Sequence, residues 1–244
     1  MTVPKFLDAG ETALVVEFGA TVDPEINDRV LALDEQLTAL ALPGVRETVP
    51  TYRSLMVHYE PLVIDRERLI SAIRQIGERP TSARKPKHRW TIPCCYDPPI
   101  GEDLNLMADN LGLTPHQVIA LHSGASYRAY MYGFAPGFCY LGGLPKQLDI
   151  SRRATLRSPH PPNAILVAGG LTLIATFPMP TGWYVIGRTP ERMFAPAREP
   201  NFLVEVGDAV RFESIDRERF DDLDRRAAKG EVVAKRERLS SAEQ

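Results

Sequence analysis

Met131-Tyr132-Gly133-Phe134-Ala135-Pro136-Gly137-Phe138-Cys139-Tyr140-Leu141-Gly142-Gly143-Leu144-Pro145 sets four aromatic rings and four glycines into fifteen residues. The glycines open backbone angles closed to other residues and let a second backbone or a ligand approach, while Pro136 fixes φ and removes a donor. Composition leaves two readings of the stretch open, a packed aromatic turn and the wall of a ligand site. On its N-terminal side Tyr127 to Tyr132 alternates as a strand, and from Pro145 to Ile215 short strands follow one another between turns rich in proline and glycine. That pattern predicts a mostly β domain, closed or barrel-like, with helices packed outside it.

Upstream of the barrel region a helix carries Leu104, Met107, Ala108 and Leu111 on one face, and Thr114-Pro115 opens another that leads His122 into the loop Ser123-Gly124-Ala125. The first 80 residues read differently. Strands at Phe6-Leu7 and Ala13–Phe18 precede a helix with Val30, Leu33 and Leu37 on one face. Strands at Val45–Val49 and Leu55–Tyr59 then precede a helix carrying Leu69, Ile70, Ile73 and Ile76. The expected division is an α+β domain over 1–80, a polar, proline-bearing linker over 81–88, a barrel over 89–215 and a charged C-terminal tail over 216–244. A solvated helix or a frayed end is the default for that tail.

The chain has 244 residues, 44% hydrophobic and 25% charged, with a formal net charge of -2. A nucleic-acid or membrane-surface protein normally carries a basic excess, so neither class of partner is expected. No apolar run reaches transmembrane length and no signal peptide is read at the start of the chain. Cys94, Cys95 and Cys139 form neither a disulfide framework nor a metal-ligand spacing. Reduced thiols in the cytoplasm and no metal site are the corresponding expectations.

Phosphate loops, Gly-x-Gly-x-x-Gly turns, His-Glu-x-x-His and Gly-x-Ser-x-Gly are all missing. Arg152, Arg153 and Arg157, by contrast, fall within six positions, and guanidinium groups grip carboxylate or phosphate in bidentate fashion. Anion binding and a solvated turn both fit that spacing. His122 and His160 flank the glycine-rich stretch at loop positions where a general acid or base could act. Val167-Ala168-Gly169-Gly170 and Thr181 to Pro190 each break a strand into a small or polar turn, and Trp183 and Arg188 are read both as ligand contacts and as loop braces.

Taken together, Gly133 to Pro145, Arg152-Arg153-Ala154-Thr155, Ala168-Gly169-Gly170, Gly182 to Pro190 and Val206 to Phe212 resemble the family of 5-oxoprolinase B subunits. That family also takes in the sporulation kinase inhibitor KipI and the proteins called allophanate hydrolase subunit 1. The resemblance implies a small N-terminal α+β domain of ferredoxin-like type and a cyclophilin-like β-barrel domain. It implies a homologous C-type subunit as partner, a third, A-type subunit, and ATP as cofactor of the complex, with an amide, lactam or ureido compound as substrate. Catalytic roles then fall to Arg152, Arg153 and His122. Substrate contacts fall to Phe134, Pro136, Gly137, Phe138, Arg157, Gly169, Gly170, Trp183, Arg188 and Thr189. Inhibition of a histidine kinase and carboxyl transfer to urea or allophanate are the alternative activities. The chain departs from the family pattern at Ser151 and Leu156, where prolines are usual, at Leu171 and Leu173 for glutamine and glycine, and at Thr181 for glycine.

Overall fold

A computed structural model describes residues 3–77 and 86–239. The expected linker over 81–88 lies outside the described residues up to position 85, as does the end of the chain from 240. The chain divides into two compact units, Met1–Arg84 and Lys85–Gln244.

In the first unit, β1 (Lys5–Asp8) and β2 (Ala13–Glu17) form a hairpin followed by α1 (Pro24–Leu40). A second hairpin, β3 (Val45–Pro50) and β4 (Ser54–Tyr59), is followed by α2 (Arg66–Gly77). The four strands pair antiparallel in the order β1-β2-β4-β3. Helix α1 begins where its sequence dictates, with Pro24 in the first turn and the Asp23 carboxylate accepting from the Glu25 and Ile26 amides at 2.8 and 3.1 Å. Its apolar face, Val30, Leu33 and Leu37, meets Leu69, Ile70, Ile73 and Ile76 of α2 over Leu14, Val16, Leu55 and Val57 of the sheet. This is a strand-strand-helix unit repeated once. A ferredoxin-like order alternates as βαββαβ, whereas here each helix follows a hairpin instead of joining two strands.

The second unit is a closed barrel. Its strands are β5 (His88–Cys95), β6 (Tyr127–Tyr132), β7 (Cys139–Gly142), β8 (Ala164–Ala168), β9 (Leu171–Ala175), β10 (Tyr184–Arg188) and β11 (Ala209–Ile215). Around the barrel they run β5-β10-β8-β9-β7-β6-β11, and β11 returns to β5 in parallel register. Arg188 opposite Cys95 closes the ring. Seven closed strands are consistent with a cyclophilin-like barrel. The interior is filled by Ile92, Cys94, Ala129, Leu141, Ile165, Val167, Ile174, Ile186 and Val210, and by Leu104, Met107 and Val118 from α3 (Leu104–Leu111) and α4 (Pro115–Gly124).

Residues 217–239 are folded onto this barrel. Helix α5 (Arg217–Ala227) is capped by the Asp216 carboxylate, which accepts from the Arg219 amide at 2.8 Å. It buries Phe220 and Leu223 beside Cys95, Ile100 and Ile215. Strand β12 (Lys235–Arg238) pairs antiparallel with His88–Thr91 of β5. Glu191, fully buried, accepts from the Val233 and Ala234 amides at 2.7 Å each and holds the connecting segment. The few apolar residues here suffice because Phe220, Leu223 and Ala227 recur at three and four positions and share one helix face.

Candidate functional site

The 131–145 stretch is a packed turn that leaves one ring outside. Gly133 and Phe138 are bridged by a backbone bond of 3.2 Å, and Thr176 donates its hydroxyl hydrogen to the Pro136 carbonyl at 2.6 Å. Gly137 has φ of 79°, and a Cβ there would lie 2.7 Å from Thr176 Cγ2 and against Phe194, so the turn needs glycine twice over. Phe138 is buried, with its ring centroid 6.1 Å from that of the buried His160. Phe134 is held at φ of 70° with 77% of its surface exposed, an uncommon conformation for an aromatic residue.

The three arginines separate into two roles. Asp103 occupies the N-cap position of α3 yet caps nothing. Its carboxylate accepts from Arg153 at 2.5 Å, from Arg157 at 2.7 Å and from the Val185 amide at 2.9 Å, while its own amide donates to the Val185 carbonyl at 2.8 Å. Arg157 also pairs with Glu102. The Arg153 amide donates to Gly182 at 2.7 Å and the Arg157 amide to Thr181 at 3.0 Å, so the arginine loop lies along the 181–182 turn. Arg153 and Arg157 are therefore bound to acids of their own chain. Arg152 is exposed, has no carboxylate partner among the described residues, and stacks with its guanidinium carbon 5.7 Å from the Trp183 ring centroid. Trp183 in turn meets Tyr140 edge-on at 6.1 Å. Burial raises the Tyr140 pKa and the Arg152 charge opposes that rise, so the phenol keeps its proton at neutral pH.

Other expected site residues stand elsewhere. His122 belongs to the last turn of α4, not to a loop, and is fully buried in the barrel unit. Its Nδ1 lies 2.7 Å from the Tyr96 hydroxyl and its Nε2 3.1 Å from Thr172 Oγ1. Burial lowers its pKa to about 3. A ring so enclosed is a neutral member of a core network, without the solvent or substrate access that acid–base work needs. Gly169 and Gly170, with φ of 58° and 75°, form the two-residue connection between β8 and β9, where a primed hairpin turn requires positive φ at both positions. Arg188 donates to the Pro162 carbonyl at 3.1 Å and covers Phe220 at 5.3 Å. Burial lowers the pKa of its guanidinium. Thr189, buried, accepts from the Glu191 amide at 3.0 Å.

Two residues of the arginine cluster give no local sign of their role. Tyr140 lies in the glycine-rich stretch, but only the barrel register sets it beside Trp183. Asp103 looks like an ordinary helix cap, and nothing near it in sequence reveals that its carboxylate turns to residues 50 and 54 positions away. Three of the departures from the family pattern have a defined place in the barrel. Thr181 Oγ1 accepts from the Trp183 amide at 3.0 Å, and Leu173 stands directly opposite Tyr140 across β9 and β7, with Leu171 on the same face two residues away.

Among the described residues no group of three or more His, Cys, Asp or Glu is placed to hold a metal ion, and no helix is long and apolar enough to cross a membrane. The barrel with its preceding α+β unit has a recognisable counterpart in the carboxyltransferase domain, subdomains C and D, whose family description matches residues 4–204. A 5-oxoprolinase B subunit of Bacillus subtilis is 31% identical over 214 residues, 83% of this chain and 89% of that protein. The protein of the same name from Escherichia coli O157:H7 is 36% identical over 207 residues, 83% of this chain and 92% of its own. The chain belongs to this family, that of the 5-oxoprolinase B subunits. The solved structure of TTHA0988 superposes with a TM-score of 0.72 at 36% identity over 84% of this chain, which spans 40% of that longer polypeptide. Kluyveromyces lactis urea carboxylase shares the fold over 97% of this chain and 24% of its own, with a TM-score of 0.79 at 15% identity.

Proposed function

We propose that this chain is the B-type component of an ATP-dependent 5-oxoprolinase-type complex, acting with a homologous C-type subunit and a third, A-type subunit in the cytoplasm. The observation that carries the reading is relatedness to proteins of that name across both units, at 31 and 36% identity. Opening a lactam requires that its carbonyl, deactivated by the ring nitrogen, be made electrophilic, and phosphorylation of the carbonyl oxygen by ATP does this. Water then adds to the carbonyl carbon, the carbon–nitrogen bond breaks as the nitrogen takes up a proton, and a second water hydrolyses the resulting acyl phosphate to the free acid and phosphate. Negative charge builds on oxygen along this course, and fixed donors stabilise it. The donors this chain offers to an anionic group of the substrate are Arg152, Tyr140 and Trp183. Arg153, Arg157 and Arg188 contribute by holding the loops.

Co-expression with its C-type and A-type partners, followed by ATP-dependent release of glutamate from 5-oxoproline, tests the reading. No turnover by a correctly assembled complex removes 5-oxoproline as substrate. The match to a carboxyltransferase domain favours one second reading, transfer of a carboxyl group to a ureido nitrogen. That activity requires a carboxylated donor and is scored by carboxylation of urea in the same complex.

A further inference from the structure

We infer that Tyr140, Arg152 and Trp183 form a binding corner for the carboxylate of a small, flat organic acid, and that Asp103 is the positioning residue that holds it. The inference rests on the function proposed above, action on a small cyclic amide within a complex, and it names the group by which that substrate is held.

Charge pairing leads to Arg152. Three guanidinium groups in the loop face two carboxylates, Asp103 and Glu102, and both acids are bound to Arg153 and Arg157. One positive charge is left over, and it belongs to Arg152. A guanidinium whose carbon lies 5.7 Å over an indole still has N–H groups to offer, and these match a carboxylate in bidentate fashion. The indole N–H of Trp183 and the phenol of Tyr140 are further donors, and among the described residues no acceptor takes either of them or the Arg152 guanidinium. Three donors on side chains in mutual contact suit an oxyanion better than a cation or an apolar ligand.

The corner is built into the barrel. The Asp103 carboxylate ties Arg153, Arg157 and the β10 amide of Val185 together, and the arginine loop is bonded to Gly182 and Thr181 just past Arg152, through the Arg153 and Arg157 amides. A Cβ on Gly182 would already lie 3.7 Å from Arg152 Cβ. The backbone of Arg152 is thus fixed against the turn that carries Trp183.

Titration of the full chain with 5-oxoproline, 5-oxoprolinamide and acetate, followed by tryptophan fluorescence, tests the site. The acid quenches, the amide does not, and Trp183→Phe removes the response. Arg152→Ala weakens acid binding about tenfold or more, the loss of one charge-assisted pair, without moving thermal unfolding. Asp103→Asn weakens it as well and lowers the unfolding temperature, and Arg152→Lys restores part of the affinity. In the assembled complex Arg152→Ala raises KM for 5-oxoproline more than it lowers kcat. Equal binding of acid and amide, no quenching at millimolar acid, or an unchanged KM in Arg152→Ala overturns the inference. A complex that turns over 5-oxoproline with an unchanged KM in Arg152→Ala sinks the site and leaves the function. Arg152-dependent acid binding without turnover sinks the function and leaves the site.

Discussion

Replacing His122 by glutamine changes how the barrel unit responds to acid. Thr172 donates its hydroxyl hydrogen to the Leu166 carbonyl at 3.1 Å, so toward His122 it accepts, and Nε2 carries the imidazole proton. Nδ1 then accepts from the Tyr96 hydroxyl. The neutral ring satisfies both partners, and Phe212 and Tyr127 lie against it at 4.6 and 5.3 Å. A second proton meets an enclosed apolar setting, and the pKa falls to about 3 from an ordinary 6.5. Because the folded pKa is depressed, the contribution to stability is complete above about pH 6.5 and is lost as pH falls toward 3. At 1.36 kcal/mol per unit, the loss is about 2 kcal/mol between pH 7 and pH 5 and about 4 kcal/mol by pH 3. Denaturant unfolding followed by tryptophan fluorescence reads this unit alone, since Trp90 and Trp183 both belong to it. Glutamine can donate to Thr172 and accept from Tyr96 without titrating. The stability difference between wild type and His122→Gln should therefore shrink by about 2 kcal/mol from pH 7 to pH 5. A constant difference, or an NMR titration of His122 near its ordinary value, refutes the assignment of this ring as a buried neutral group.

Glu191→Ala leaves the amides of Arg192, Val233 and Ala234 without their acceptor. At about 1–3 kcal/mol for each orphaned donor, the barrel unit should lose about 3 kcal/mol or more, read as a lower urea midpoint of tryptophan fluorescence. A loss below about 1 kcal/mol would mean that Glu191 does not anchor the C-terminal segment. Arg153→Ala should cost about 3 kcal/mol because it breaks a largely buried pair with Asp103, whereas Arg152→Ala should stay within about 0.5 kcal/mol; equal melting curves for the two variants contradict the division of roles. Cys94, Cys95 and Cys139 are all fully buried, and burial pushes Cys139 up to about 12. A thiol reagent should label none of them in the native chain and all three in denaturant, as counted by intact mass.

Much of the fold is legible in sequence because its signals are local. Val30, Leu33 and Leu37 declare one helix face, Thr114-Pro115 declares a helix start, and Tyr127 to Tyr132 declares a strand. The charged stretch beyond Asp216 is harder to read. Its buried residues, Phe220, Leu223, Ala227, Ala234 and Leu239, are diluted by charged neighbours, and the surface that receives Phe220 and Leu223 is assembled from Cys95, Ile100 and Ile215. Of the site, the arginines and Trp183 can be found from residue type, while Tyr140 and Asp103 cannot. His122 shows the converse limit, since a histidine near a glycine-rich turn looks reactive until the packing around it is known.

The sequence by itself determined the helix faces, the helix starts and the turn at Gly169-Gly170, because periodicity, capping and backbone preference act over a few residues. Tertiary structure decided which of three neighbouring arginines is free. Asp103 reaches Arg153 and Arg157 through space, and its carboxylate is held by the Val185 amide on a strand 82 positions further along the chain. Pairing of charges depends on distance and burial, which chain proximity does not set. That is why Arg152 alone is left facing solvent over Trp183.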